Sequence, residues 1–300
     1  MNIRKALHLL AMKAKLQNSF RARTKPILLG FSLLIILLLL VLRSNLSPTP
    51  LNQRAATQAA AGAASSASPC AKLPASVADA IVHYATSNVT PQQTLDEISV
   101  TARVLARKSP CNFLVFGLGH DSPMWSALNQ GGRTVFLEED AAWIATVREK
   151  HPALETYHVA YDTRVSDAEG LLELGQRPEC TAVAAGGGTA STTTTCRLAL
   201  KELPRVFDEV EWDVIMVDAP TGWIPEAPGR MGAIYTAGMA ARMRRSPGET
   251  DVFVHDVDRP VEDKFSRTFL CDGYLKEQQG RLRHFAIPSH LNNPGTPFCP

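Results

Sequence analysis

Acidic residues are missing from the first 43 positions and cysteines from the first 69. The same 43 residues carry eight of the 31 lysines and arginines, which leaves 23 basic against 29 acidic residues downstream, a net of about −6. The formal charge of +2 therefore hides an acidic main body. That body lacks the basic face a nucleic-acid partner requires, so no such partner is expected. The six cysteines (Cys70, Cys111, Cys180, Cys196, Cys271, Cys299) lack the short paired spacings of zinc sites. An even set of this kind suits disulfides in an oxidising compartment. A third glycine is also missing from the glycine turn at 117–122, which reads Gly-Leu-Gly-His-Asp-Ser. Its loss tells against a dinucleotide, whose pyrophosphate needs that close backbone approach.

The N-terminus holds one apolar run, residues 27–42, broken only by Gly30 and Ser32 and flanked by Lys25 and Arg43. As a helix it spans about 24 Å, against about 30 Å for an average hydrocarbon core. Snorkelling of the flanking cations and a thin bilayer make up the difference. The basic flank keeps the N-terminus cytosolic. A cleaved signal peptide would end at small residues, which Arg43-Ser44-Asn45-Leu46 does not supply. The expected organisation is a cytosolic tail (1–25), a transmembrane signal anchor (26–43), a flexible Ala/Ser/Thr/Pro-rich stem (44–69) and a luminal domain (70–300).

Within the luminal part, helices are predicted over 76–86 and 91–108, the second capped by Thr90 with Pro91 in its first turn. Strands are predicted at 113–116, 134–137, 156–161, 213–217 and 251–255. Helices at 122–129, 141–151, 232–245 and 261–270 lie between most of them. The alternation predicts an α/β fold with a parallel, Rossmann-like sheet covered on both faces. The last two runs, 274–278 and 281–287, flank Gln279-Gly280 and predict an antiparallel hairpin. A parallel sheet closed by such a hairpin is the arrangement expected of class I methyltransferases. The low-complexity stretch 181–195 reads as an exposed insertion closed by a local Cys180–Cys196 disulfide.

Candidate chemistry sits at the strand ends. Gly117 and Gly119 let a ligand approach the backbone, and the helix start at Asp121-Ser122-Pro123 offers N–H groups. Glu138, 21 residues after Gly117, ends the second strand and is placed for ribose hydroxyls, with Glu139 as an alternative. Asp140 is the natural cap of the next helix. Asp162, beyond the third strand, is a candidate for the adenine amino group or for a turn. S-adenosylmethionine, which has no phosphate, suits such a turn better than a dinucleotide does. The run DVIMVDAPTG (213–222) ends a strand on Asp218, where open α/β sheets bind ligands. Asp218, or the His255-Asp256 pair, is a candidate base for a hydroxyl attacking a sulfonium methyl. The same carboxylates could hold a divalent cation with Asp258, but the sequence alone establishes no metal site. Among the late arginines, Arg230 beside the mouth is the candidate contact for an anionic substrate.

Six blocks carry a family resemblance: CNFLVFGLGHDSPMW (111–125), GGRTVFLEED (131–140), WDVIMVDAPTG (212–222), EAPGRM (226–231), DVFVHDVDR (251–259) and GRLRHFAIP (280–288). With them the chain resembles the plant glucuronoxylan 4-O-methyltransferase family. The resemblance implies S-adenosyl-L-methionine as cofactor and 4-O-methylation of glucuronic acid side chains on acidic xylan. It also implies a Golgi membrane location and contact with other xylan-synthesis proteins. The wider family includes irregular-xylem proteins without a clear enzymatic role. A non-catalytic Golgi protein on the same fold is therefore one alternative, and methylation of glucuronic acid on arabinogalactan is another. The Gly/Thr-rich stretch 184–195 departs from the family pattern.

Overall fold

The computed structural model describes residues 73–183, 195–293 and 295–300. The expected tail, anchor and stem, and most of the Gly/Thr-rich insertion, lie outside the described residues. Among those that are described, no helix is long and apolar enough to cross a membrane.

Seven strands form one sheet in the order β3-β2-β1-β4-β5-β7-β6. They are β1 (Asn112–Phe116), β2 (Arg133–Glu138), β3 (Glu155–His158), β4 (Val214–Val217), β5 (Glu249–Val254), β6 (Leu275–Gln279) and β7 (Leu282–Pro288). The first five pair in parallel, and β7 runs antiparallel to both β5 and β6. The expected sheet with its terminal hairpin is the one observed. Side chains alternate along each central strand, so each strand feeds two cores. Leu114, Phe116, Ile215, Val217, Val252 and Val254 enter one, with helix α8 (Met231–Arg242). Phe113, Val115, Phe136, Val214, Met216 and Phe253 enter the other, beside Val100, Val104 and Leu105 of α2 (Leu95–Lys108). Such strands read as continuous apolar runs because neither face meets water.

Most element boundaries fall within a few residues of expectation. Helix α2 starts later than predicted, because Thr94 and Glu97 form a complete capping box that outcompetes Thr90 as the start. Strand β3 is shorter than predicted, ending at His158 instead of residue 161. The helix expected over 261–270 splits into α9 (Pro260–Phe265) and a π-helical turn, Ser266–Cys271. Helices α1 (Ala75–Thr86), α3 (Ser122–Leu128) and α4 (Ala141–Lys150) match closely. The short helices α5 (Ala168–Leu174), α6 (Pro178–Thr181) and α7 (Arg205–Glu209) went unpredicted, being too brief for periodicity to register. Cys180 and Cys196 are bonded as expected, Cys271 bonds Cys299, and Cys111 is a buried free thiol.

Candidate active site

A cavity of about 340 Å³ opens at the carboxyl ends of β1, β2 and β4. Its size falls within the range of small-molecule sites. Gly117, Gly119, Glu138, Asp218 and Arg230 all line it, so one concavity collects most of the expected residues.

The β1–β2 wall is built by backbone. Gly117 sits at φ +129°, a conformation closed to side chains, and an added Cβ would also lie 3.3 Å from the Ala219 Cβ. At Gly119 a Cβ would meet Asp121 Oδ1 at 2.7 Å. Glu138 is 8% exposed. Its Oε2 accepts from the Leu118 N–H at 3.1 Å, and its Oε1 from the Glu139 and Asp140 N–H groups at 2.9 and 3.0 Å. These bonds hold the carboxylate in place at the cavity wall. Asp140 caps α4 by accepting from the amides of Ala142 and Trp143, as expected. The turn amides are less available than the sequence suggested. Leu118 N–H goes to Glu138 and Gly119 N–H to Ser122 Oγ.

The β4–β5 wall is built by side chains. His255 is fully buried at the end of β5. Its Nδ1 lies 3.0 Å from Asp218 Oδ1 and 3.5 Å from Asp256 Oδ1, and its Nε2 lies 3.7 Å from Glu97 Oε2. Burial opposes a charge on this imidazole. The Asp218 hydrogen bond and the nearby Asp218 and Asp256 charges outweigh that cost and raise its pKa. Burial would likewise raise Asp218, but the His255 hydrogen bond, the Arg230 charge and the Gln93 hydrogen bond hold it below the ordinary carboxylate range. The imidazole thus faces three carboxylates. Asp121, on the same cavity, behaves oppositely: burial and then the Asp218 charge push it up. Its Oδ2 accepts from Trp125 Nε1 at 2.8 Å.

Arg230 anchors this wall instead of facing outward. It is 3% exposed and reaches Asp256 at 2.9 Å, Asp218 at 3.3 Å and Glu262 at 3.7 Å. It also donates to the Pro220 and His255 carbonyls. These partners engage its guanidinium, although the residue also lines the cavity. Arg259 takes the exposed position: it lines the cavity, is 30% exposed, and donates to Thr221 O at 2.9 Å while pairing with Asp256 at 2.9 Å. Asp256 accepts from a third guanidinium, Arg281, at 2.6 Å. Its φ of +61° is one that asparagine and aspartate tolerate better than most residues.

Asp162 lies elsewhere. Its carboxylate is about half exposed and pairs with Arg197 at 2.7 Å and Lys201 at 3.4 Å. The chain leaves β3 at His158, four residues before it. The adenine contact expected of Asp162 therefore gains no support from its placement.

Asp218, His255 and Asp256 each offer one donor atom within 4.8 Å of the others, a geometry that could hold a metal ion. A cation there would compete with Arg230, Arg259 and Arg281 for the oxygens of Asp256. Gln93, Glu97, Asp121 and Arg259 were not singled out from the sequence. Glu97 and Gln93 looked like parts of a covering helix, yet Gln93 Nε2 donates to Asp218 at 3.1 Å and Glu97 faces His255. The Thr94-x-x-Glu97 pattern was the available sign of a special Glu97.

The chain is 64% identical over 231 residues to glucuronoxylan 4-O-methyltransferase 2 of Arabidopsis thaliana, covering 77% of this chain and 78% of that one. It is 58% identical over 285 residues to glucuronoxylan 4-O-methyltransferase 3 of the same plant, covering 92% and 94%. Arabinogalactan O-methyltransferase 2, also from Arabidopsis thaliana, is 50% identical over 223 residues, covering 73% and 76%. A family profile described as IRX15/IRX15L/GXM matches residues 96–285, a span that holds both walls of the cavity, and the chain belongs to that family.

Proposed function

We propose that this protein transfers a methyl group from S-adenosyl-L-methionine to O-4 of glucuronic acid side chains on xylan. The observation that carries this reading is the joining of Glu138 and Asp218 in one cavity, in a chain 58–64% identical to proteins named for that reaction. A ribose would find its acceptor in Glu138, already oriented by three amides. The acids on the wall (Asp121, Glu138, Glu139, Asp218) favour a cationic ligand over a phosphate. The bound cofactor supplies an electrophilic methyl on a positively charged sulfur. The protein positions the sugar hydroxyl beside Asp218 and takes its proton. A carboxylate of low proton affinity suffices, because the hydroxyl becomes strongly acidic as its oxygen bonds to carbon. His255 and Arg230 keep Asp218 ionised and oriented.

The uronate carboxylate would meet Arg259 at the cavity rim, a position that fixes which hydroxyl faces the methyl. This assignment replaces Arg230. A scaffold without chemistry would have no use for a carboxylate oriented by three amides at the wall of a cavity, which favours the enzyme over the non-catalytic alternative. The higher identity to glucuronoxylan than to arabinogalactan methyltransferases favours xylan as acceptor. The proposal includes a single-pass Golgi membrane protein with its catalytic domain in the lumen. It is supported by the apolar run 27–42 with its basic flank and by two disulfides suited to an oxidising lumen.

The test is a methyl-transfer assay with full-length protein, labelled cofactor, and a panel of acidic xylo-oligosaccharides, neutral xylo-oligosaccharides and glucuronosylated galactans. The acidic xylan members should be labelled, with NMR placing the new methyl at O-4. Label on neutral oligosaccharides, or a methyl elsewhere on the ring, overturns the assignment. Lack of cofactor binding returns the protein to the scaffold class. Protease treatment of sealed microsomes should leave residues 70–300 intact, and digestion without detergent rejects the luminal placement.

A further inference from the structure

Trp223 is 70% exposed, whereas Trp125 and Trp212 are nearly buried at 1% and 4%. The remaining tryptophan, Trp143, is tied through its ring nitrogen to Leu118 O at 2.6 Å. An indole is among the costliest side chains to leave in water, since burial removes some 150–250 Å² of largely apolar surface. Single exposed aliphatic residues are ordinary, but a tryptophan turned out of a fixed loop beside a cavity is a different case.

The loop is fixed. Arg259 binds the Thr221 carbonyl at 2.9 Å and Arg230 binds the Pro220 carbonyl at 2.9 Å. On the far side, Ser166 N–H donates to Pro225 O at 2.9 Å, Val165 N–H to Ala227 O at 3.0 Å, and Ala227 N–H to Ile224 O at 3.0 Å. Gly222, at φ +49°, turns the chain between Thr221 and Trp223. Thr221 lines the cavity and Trp223 lies two residues on, so their Cα atoms are separated by no more than about 7.6 Å. The Trp223 backbone therefore lies close to the cavity, on the same loop as Thr221, whose carbonyl Arg259 binds. Ile224, 39% exposed, extends its apolar surface.

We propose that Trp223 is a platform on which a pyranose ring of the acceptor glycan stacks, one or more sugars away from the residue being methylated. A pyranose carries a face of C–H groups that packs on an aromatic plane while its hydroxyls stay in water, and a rigid loop lets that contact form without an ordering cost. The cavity takes the reacting sugar, Arg259 its charge, and Trp223 the uncharged chain from which it branches. Trp223 thus reads acceptor length and not the reacting hydroxyl. The proposal rests on the reading of the protein as a glycan methyltransferase.

The test compares Trp223→Ala and Trp223→Phe with wild type in the full-length protein. Each is assayed on a glucuronosylated xylohexaose and on a minimal acceptor, glucuronic acid on a single xylose. Trp223→Ala should raise KM for the long acceptor about fivefold while kcat stays at the wild-type value. It should leave KM for the minimal acceptor unchanged, and Trp223→Phe should restore most of the loss. A thermal melt should be unaltered, because the side chain packs on little. Neutral xylohexaose should shift the tryptophan fluorescence of wild type and not of Trp223→Phe. An unchanged KM on the long acceptor, or equal losses on long and minimal acceptors, overturns the platform. Should the protein act only on galactans, the xylan reading fails. The platform then stands if long galactans still lose affinity in Trp223→Ala and falls if they do not.

Discussion

The two walls of the cavity are built by different means. On the β1–β2 side, Glu138 is held by three backbone amides within two residues of itself or in the adjoining turn. On the β4–β5 side, Asp218 is held by the side chains of Gln93, Arg230 and His255, which lie 125, 12 and 37 residues from it along the chain. The first wall depends on local backbone geometry and tolerates changes around it. The second is a network of buried charges in which each member leaves another uncompensated when removed.

That contrast predicts where damage should be greatest. Arg230→Ala strips the shared cation from Asp218, Asp256 and Glu262, two of which are 2% exposed or less. A loss of up to about 3–5 kcal/mol in folding stability is expected, because Glu262 loses its nearest cation and Asp256 keeps only Arg259 and Arg281. Chemical denaturation should show it, and a wild-type midpoint would mean that the network contributes little to folding. Asp218→Asn should keep the fold and cofactor affinity while turnover falls about 10²-fold or more. If turnover is near normal, the role of base passes to His255 or Asp256, which should then be replaced singly. Glu138→Ala should cost about 1–3 kcal/mol of cofactor binding, because the ribose hydroxyls lose their acceptor. It should leave the other wall untouched in calorimetry. Gly117→Val is a poor control for that site: the φ of +129° makes it a strained substitution whatever binds there.

The pH dependence gives the smallest and most specific contrast. Asp218 is lowered, so its contribution is present above the unfolded carboxylate pKa and is lost as pH falls through its folded value. His255 is raised, so its contribution is full below the unfolded imidazole pKa and is lost as pH rises through its folded value. Stability from the pair should therefore be greatest between these two limits. Melting temperatures across pH should show declines at both ends, and His255→Gln should flatten the alkaline one. An unaltered alkaline decline in that variant would detach His255 from the charge network.

Legibility followed the same division. Gly117, Glu138 and the Asp140 cap were readable because strand, turn and acid follow one another within 30 residues. The alternation of apolar runs foretold the sheet order's parallel body and its closing hairpin for the same reason. Arg230 lines the cavity, and only packing shows that it is 3% exposed among carboxylates. The pairing of Asp162 with Arg197 and Lys201 was not legible, because those cations lie more than 30 residues along the chain. Glu97 and Gln93 lie more than 120 residues before Asp218, and no local pattern joins them.

Sequence by itself thus determined what short-range chemistry controls: which runs become two-faced strands, where glycine must turn the chain, which acid ends β2, and which cysteines close the insertion. Tertiary structure alone decided how charge is distributed at the site, since burial and partners set whether a group is a base, an anchor or a free contact. His255 sits between carboxylates that raise its proton affinity, Arg230 is a strut and Arg259 the more exposed cation because the folded sheet brings β4, β5 and the start of α2 together. Electrostatic energy depends on distance and desolvation, and neither exists until the chain has packed.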